Sequence, residues 1–177
     1  MKQAGRIALG GVLGALSLTL LMFTVFPIGR FTLPAIAGAV LIPFVIEFSP
    51  QRGLLIYAAV AVVSLFIVPD IEAKVLFIGF FGYYPILKSL FESLASRWFE
   101  WLAKLAVFNI SVVLSYLLLI YAFRFNPGYF SLFGVNIVYF LIAAGNIAFL
   151  LYDKVLTNLV TLYIRVLHPH IVKIFRL

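Results

Sequence analysis

Residues 7–28, IALGGVLGALSLTLLMFTVFPI, form an apolar run without a single charged side chain. A helix needs about 20 such residues to cross the hydrocarbon core of a bilayer. Lys2 and Arg6 precede the run, as cations precede the apolar core of a secretory signal. Signal cores are shorter, and no small-x-small cleavage site follows Ile28. We therefore expect this run to be a transmembrane helix of the mature protein.

The rest of the chain has the same character. Of its 177 residues 65% are apolar and 11% are charged, and the mean hydropathy is +1.18. An average soluble domain is about 45–50% apolar and about 25% charged. Because the apolar runs are continuous and do not alternate with polar residues, the composition predicts transmembrane α-helices and not barrel strands. We expect one compact all-α domain over residues 1–177.

Charges, Pro and Gly divide the chain into six expected membrane spans joined by short linkers. The linker SLASRWFEWLAK, residues 93–104, is longer than the others, and its Trp98 and Trp101 suggest an amphipathic piece at headgroup depth. The expected spans are about 7–28, 32–48, 53–69, 75–92, 104–123 and 132–153, followed by a tail over 154–177.

The distribution of Lys and Arg predicts the orientation. With a cytoplasmic N-terminus, ten cations lie inside and three outside, which favours a multi-pass protein of the cell membrane with both termini in the cytoplasm. We expect Pro169 to break the tail helix before a basic amphipathic end on the inner leaflet. The inner set is Lys2, Arg6, Arg52, Lys88, Arg97, Lys104, Lys154, Arg165, Lys173 and Arg176, and the outer set is Arg30, Lys74 and Arg124.

The groups that most enzymes use are missing from the sequence. The chain has no cysteine, and its only histidines, His168 and His170, flank Pro169 without a third ligand nearby. No glycine-rich phosphate loop and no nucleophile with its base can be found. We therefore expect neither catalysis, nor a metal site, nor a cofactor. The net charge of +7 fits contact with anionic lipid better than contact with nucleic acid.

Small residues recur at four-residue spacing in the first span. Ala4, Ala8, Gly11 and Ala15 lie along one side of a helix, with Gly10 and Gly14 beside them. Such residues let a second helix approach the backbone closely where lipid offers no hydrophobic driving force. The stripe predicts either packing within this chain or docking of a partner subunit.

Polar residues recur on the last two spans. Asn136, Tyr139 and Asn146 share a face of the sixth, and Tyr116 lies on the fifth with Asn109. Polar groups in a span face the bundle interior, where they contact a ligand or form interhelical hydrogen bonds. Asp153 admits two interpretations. It forms an ion pair with Lys154 at the membrane–water interface or, if the helix lies deeper in the membrane, it is a buried functional acid.

Cations and aromatic side chains surround the expected outer loops. Arg30 and Arg124 lie there with Phe31, Tyr121 and Phe123. This pattern is typical of an aromatic belt, and it also fits a lidded pocket for a planar or weakly acidic small molecule. The predicted substrate-binding set is Arg30, Tyr116, Arg124, Asn136, Tyr139 and Asn146.

The stretch GFFGYYPILKSLFE, residues 79–92, contains a proline and two adjacent tyrosines inside an apolar span. Pro85 lacks the amide that would bond to the carbonyl of Phe81, so we expect a kink. Lys88 and Glu92 are expected to pair and snorkel to the inner interface. Tyr83 or Tyr84 is expected to form a pocket floor or to bond to Asn109.

The chain resembles the S components of energy-coupling factor transporters, which are substrate-binding membrane subunits of vitamin and micronutrient importers. The likeness lies in the six-helix outline and in two stretches, RIALGGVLGAL (residues 6–16) and LPAIAGAVLIPFVIEFSPQRGLLIYAAVAVV (residues 33–63). The resemblance implies capture of a small nutrient from outside and docking on a transmembrane T component through Ala4, Ala8, Gly11 and Ala15. It also implies two cytosolic ATPases on other chains. The alternative is a small structural or regulatory membrane protein, such as a cell-envelope assembly factor, without a transported ligand.

Overall fold

The structure, a computed structural model, describes residues 3–26, 29–94, 96–124, 131–132 and 135–175. In the last two of these ranges, side chains are described from residue 143 to 171 and at residue 173. Nearly all of the described residues are helical, as the composition predicts. The helices are α1 (Gln3–Met22), α2 (Thr32–Ala39), α3 (Ile42–Glu47), α4 (Pro50–Ile67), α5 (Ile71–Leu76), α6 (Tyr84–Phe91), α7 (Arg97–Tyr121), α8 (Ile137–Leu162) and α9 (His168–Phe175).

Five helical segments of the described residues are long and apolar enough to cross a membrane. They are Gln3–Val25, Pro50–Ile67, Ile71–Phe91, Arg97–Tyr121 and Ala143–Ile171. A sixth apolar segment, Thr32–Glu47, is shorter and is interrupted between α2 and α3. The expectation of a helical multi-pass membrane protein is confirmed at this level.

Successive apolar segments run in opposite directions, so the bundle has two ends. We call the end that holds Gln3, Glu47 and Arg97 the N-terminal end. The hairpin end, where α1, α4 and α7 finish, carries two strands, β1 (Ser131–Leu132) and β2 (Val135–Asn136), which pair antiparallel. These strands occupy the expected start of the sixth span, which begins as helix only at Ile137.

The expected amphipathic linker is part of a long helix. α7 begins at Arg97, so Trp98, Trp101 and Lys104 lie on its first two turns and not in a separate piece. The helix runs without a break from Arg97 because no Pro or Gly occurs between Ser96 and Tyr121 to interrupt it. It therefore begins about two turns before residue 104, where the membrane span is predicted to start.

The last helix is also longer than expected, and Pro169 does not break it. A π-helical turn over Tyr163–Leu167 joins α8 to α9, and the His168 N–H donates to the carbonyl of Tyr163. The wider turn shifts the carbonyl with which the Pro169 ring would otherwise clash, so the helix passes through the proline. α9 then packs against Leu9, Leu13 and Phe44 through Ile171.

A second π-helical turn, Phe77–Phe81, lies between α5 and α6, close to Pro85. The Gly82 N–H donates to the carbonyl of Phe77 at 2.8 Å. Below it, an aromatic core joins three helices. Phe80 stacks on Tyr84 with ring centroids 4.7 Å apart, and Phe108 stacks on Phe149 at 4.8 Å.

Candidate functional site

The cation Arg30 lies at the hairpin end and is bound by acidic side chains. Its Nε lies 3.3 Å from Asp70, and its Nη1 lies 3.9 Å from Glu72. Asp70 in turn caps α5 by accepting the Ala73 N–H at 3.1 Å. Arg30 therefore links the loop after α1 to the loop before α5.

Of the other predicted substrate-binding residues, the structure describes the side chains of Tyr116, Arg124 and Asn146. Arg124 is exposed after the end of α7, with a φ of 53°, and Tyr116 is half-buried on that helix. Asn136 ends β2 and Tyr139 lies in the first turn of α8. The side chains of Asn136 and Tyr139 lie outside the described residues.

Asn146 forms a reciprocal amide pair with Asn109 across α8 and α7. The two side chains exchange hydrogen bonds of 3.0 and 3.1 Å, and Asn109 also donates to the carbonyl of Leu105 at 2.8 Å. Interhelical hydrogen bonding was one of the two roles predicted for these residues, and ligand contact was the other. Asn109 is therefore not the partner of either tyrosine of the 79–92 stretch.

The tyrosines have other acceptors. Tyr83 lies 2.5 Å from the Ser111 hydroxyl and donates to the carbonyl of Gly79 at 2.8 Å. Tyr84 is fully buried and donates to Asp153 at 2.6 Å. The expected bond to Asn109 was wrong because Tyr84 points toward α8 one helical turn or more below that amide.

Asp153 is the centre of a buried ionic cluster, which we call the Asp153 cluster. Besides Tyr84, its carboxylate accepts from Lys88 at 2.7 Å and from Lys104 at 3.3 Å. Asp153 is 4% exposed, Lys88 3% and Lys104 1%. The cluster joins α6, α7 and α8 and consists of Tyr84, Lys88, Glu92, Glu100, Lys104 and Asp153.

Two glutamates connect this centre to the surface. Glu92 lies 2.7 Å from Lys88, as the i,i+4 spacing predicts, and Glu100 lies 2.7 Å from Lys104. The expectation that Lys88 snorkels was wrong, because Asp153 supplies a counter-charge inside the bundle. Buried ionisable groups in membrane helices usually pair in this way. Sequence spacing alone could not predict that α6 and α8 pack against each other.

The predicted docking stripe of α1 faces away from the bundle. Ala4, Ala8, Gly11 and Ala15 are all exposed, and a Cβ added at Gly11 would meet no atom within 4 Å. The neighbouring glycines face the opposite way, since a Cβ at Gly10 would lie 2.8 Å from the Ile56 side chain. α1 thus packs against the bundle through Gly10 and Gly14, while Ala4, Ala8, Gly11 and Ala15 lie on its exposed face.

A smaller polar cluster ties the end of α3 to the last helix. Tyr163 and His168 both lie 2.6 Å from one oxygen of Glu47. His170 is instead close to the carbonyl of Val166. Among the described residues no group of three or more metal-ligating side chains occurs.

The Lys88 side of the Asp153 cluster borders a small cleft at the N-terminal end. Its volume is about 80 Å³, and Ser89, Glu92 and Leu156 contribute to its walls. A space of this size holds only a few water molecules.

No protein-family profile, curated protein or solved structure matches the chain.

Proposed function

We propose that the protein is the substrate-capture subunit of an energy-coupling factor importer. It binds a small vitamin-like or micronutrient molecule from the outer side and delivers it together with a T component and ATPases on other chains. The observation that carries the proposal is the outward face of α1, where Ala4, Ala8, Gly11 and Ala15 are exposed together.

This face is suited to a helix of another subunit. From Ala4 to Ala15 it extends about 16 Å along the axis, since each helical residue rises about 1.5 Å. Lipid tails solvate Leu or Val as well as they solvate Ala, so a small-residue face gains most from close contact between backbones. Ile7 and Val12 lie beside the stripe and are also exposed, at 68% and 56%. They offer apolar edges to an incoming helix.

The proposal places the protein in the cytoplasmic membrane with six spans and both termini inside. Arg52, Arg97, Arg165 and Lys173 are exposed toward the N-terminal end, and this distribution supports a cytoplasmic position for that end. The T component and the ATPases then meet α1 from the cytoplasmic half of the membrane.

The ligand is captured at the hairpin end. Arg124 is the exposed cation there, and Arg30 is shared with Asp70 and Glu72. Tyr116, Asn136 and Tyr139 are the hydrogen-bonding groups that we assign to the ligand. Asn146 already shares two hydrogen bonds with Asn109, so it orients α8 against α7 beneath the ligand or exchanges one bond when the ligand binds.

Co-expression with the T component and ATPases of the same genome tests the proposal. We expect the wild-type chain to co-purify with them in a mild detergent, and Ala8→Leu or Gly11→Leu to abolish co-purification. Ala59→Leu is the matched control, because Ala59 is an exposed small residue on another helix, α4. The proposal fails if the wild-type chain retains neither these subunits nor a small molecule.

One observation favours the alternative of a structural membrane protein. Asn109 and Asn146 already exchange two hydrogen bonds, so this part of the polar stripe is used for helix packing. In that case Asn136→Leu with Asn146→Leu changes only thermal stability. Under the transport proposal the same double variant also lowers retention of the small molecule.

A further inference from the structure

The first two turns of α7 form an open cleft at the N-terminal end of the bundle. Arg97, Trp98 and Trp101 line it, and its volume is about 250 Å³. Trp98 is 87% exposed and Trp101 is 39% exposed. They are the only two tryptophans of the chain. The importer proposal does not use this cleft.

Trp101 is held in place from beneath. The ammonium group of Lys104 lies 5.1 Å from the centre of its ring, within the range of a cation–π contact. Lys104 is fixed in turn by Glu100 at 2.7 Å and by Asp153 at 3.3 Å. One wall of the cleft is therefore preorganised by the Asp153 cluster.

The charge at the mouth of the cleft is positive. Arg97 is exposed, and no acidic side chain of the described residues lies within ion-pair distance of it. Glu100, one turn along, faces Lys104 and not Arg97, and it shares Lys104 with Asp153 and Glu92. A guanidinium group binds phosphate oxygens in a planar, two-pronged geometry. An anion with phosphate oxygens matches the mouth of this cleft.

One exposed apolar side chain, Leu102, lies beside Trp98 and Trp101, and another, Phe99, lies further around the helix. Phe99 and Leu102 are 70% and 69% exposed on the same two turns. Tryptophan rings favour the headgroup layer of a bilayer, and phenylalanine and leucine favour the acyl chains below it. The combination of cation, indoles and apolar side chains is suited to a ligand that is anionic at one end and apolar at the other.

We propose that this cleft binds the phosphodiester headgroup of an anionic phospholipid. Arg97 binds the phosphate oxygens, the indole N–H groups of Trp98 and Trp101 donate to the headgroup, and Leu102 contacts the upper acyl chains. The lipid belongs to the leaflet at the N-terminal end. Its binding is independent of any transported nutrient.

The two tryptophans provide a direct measurement, because all tryptophan fluorescence of the protein arises at this site. The full chain is placed in phosphatidylcholine nanodiscs with about 20 mol% phosphatidylglycerol, enough to give an anionic surface. A headgroup spin label that quenches tryptophan is carried by phosphatidylglycerol in one sample and by phosphatidylcholine in the other, at equal mole fraction.

We expect labelled phosphatidylglycerol to be enriched about fivefold over labelled phosphatidylcholine near the tryptophans. This factor is the gain in binding that one basic residue gives at an anionic membrane surface. Arg97→Gln removes the enrichment, and Arg97→Lys keeps part of it because the charge remains. Arg52→Gln is the matched control, an exposed arginine at the same end on α4, and it keeps the full enrichment.

Two results would overturn the proposal. One is equal quenching by both labelled lipids, or a preference that Arg97→Gln leaves unchanged. The other is a shift of tryptophan emission on adding millimolar inorganic phosphate to discs of phosphatidylcholine alone, as large as that caused by phosphatidylglycerol. The second result would assign the site to a soluble phosphate compound.

Discussion

Asp153 holds α6, α7 and α8 together with a single carboxylate. Lys88 and Lys104 both donate to it and are almost completely buried. A buried charge is stabilised only while its counter-charge is present, and removal of one partner of such a pair costs several kcal/mol. The stability of the bundle therefore depends strongly on this residue.

The first prediction concerns its charge. Asp153→Asn removes the buried carboxylate that accepts from Tyr84, Lys88 and Lys104, while Glu92 and Glu100 still face the lysines, so we expect a loss of about 2–3 kcal/mol in the free energy of unfolding. Thermal unfolding in a mild detergent measures the change. Lys154→Gln, at the exposed neighbouring position, is the control and should unfold like the wild type. Equal stability of Asp153→Asn and wild type would contradict the assigned cluster.

The second prediction concerns the hydroxyl of Tyr84. Tyr84→Phe keeps the stacked ring and removes one donor to a buried carboxylate, which lowers the free energy of unfolding by about 1.5–3 kcal/mol. Tyr121→Phe, at an exposed ring on α7, should have no effect. Retention of a small molecule should be unchanged in both variants. A loss of binding without a loss of stability would instead place Tyr84 in a ligand site.

At this scale the sequence predicted the pairs that lie on one helix and missed those between helices. Lys88 and Glu92 are four residues apart, so their contact follows from helix geometry. Lys88 and Asp153 are separated by 65 positions, and only the packing of α6 against α8 brings them together. The signal that could have found them was the presence of three ionisable residues at similar distances from the N-terminal end.

Among the elements, the break between α5 and α6 is the most unusual. Pro85 frees the carbonyl of Phe81, as expected from the sequence, and the π-helical turn leaves other carbonyls without their regular helical partners. Tyr57 donates to the carbonyl of Ile78 at 2.7 Å, and Tyr83 donates to that of Gly79. Gly38 of α2 lies directly against the carbonyl of Phe81.

The third prediction tests this close approach. A Cβ at Gly38 would overlap the carbonyl oxygen of Phe81, so Gly38→Ala should cost about 2–3 kcal/mol, as other overpacked substitutions do. The matched control is Gly11→Ala, where a Cβ meets open space and where alanine is the better helix former by about 0.5–1 kcal/mol. Thermal unfolding should therefore move in opposite directions for the two variants.

The boundaries of the elements were only partly predictable. The apolar runs gave the positions of the helices, because each must be long enough to cross a bilayer. The start of α7 was missed, since polar or basic residues at a helix end look like a linker in the sequence. Likewise, Pro169 looks like a terminator until the π-helical turn before it is known.

For the molecule as a whole, the fourth prediction concerns orientation. The chain has no cysteine, so single cysteines introduced at exposed positions report which side is accessible to a membrane-impermeant thiol reagent. We expect Arg52→Cys and Arg165→Cys to react only from the cytoplasmic side. Arg124→Cys, at the hairpin end, should react only from outside. The reverse pattern would contradict the proposed topology and the side of the lipid cleft.

The candidate site was predicted less well than the fold. The small-residue stripe of α1 could be found from spacing. Its exposure could not, because the sequence does not show that Gly10 meets Ile56 and that Gly11 meets no other residue. The predicted ligand residues were chosen for polarity within apolar spans. Polarity does not distinguish a residue that contacts a ligand from one that, like Asn146, bonds to a facing helix.

The residues that pack against the π-helical break between α5 and α6 constrain the order in which the helices can assemble. Gly38 and Tyr57, which cover its irregular backbone, belong to α2 and α4. An irregular segment cannot remain exposed to lipid with unsatisfied carbonyls. Because synthesis proceeds from the N-terminus, Gly38 and Tyr57 leave the ribosome before residues 77–85 do. A circular permutant that begins at α5 would reverse this order and should be inserted poorly, even though its finished bundle has the same contacts.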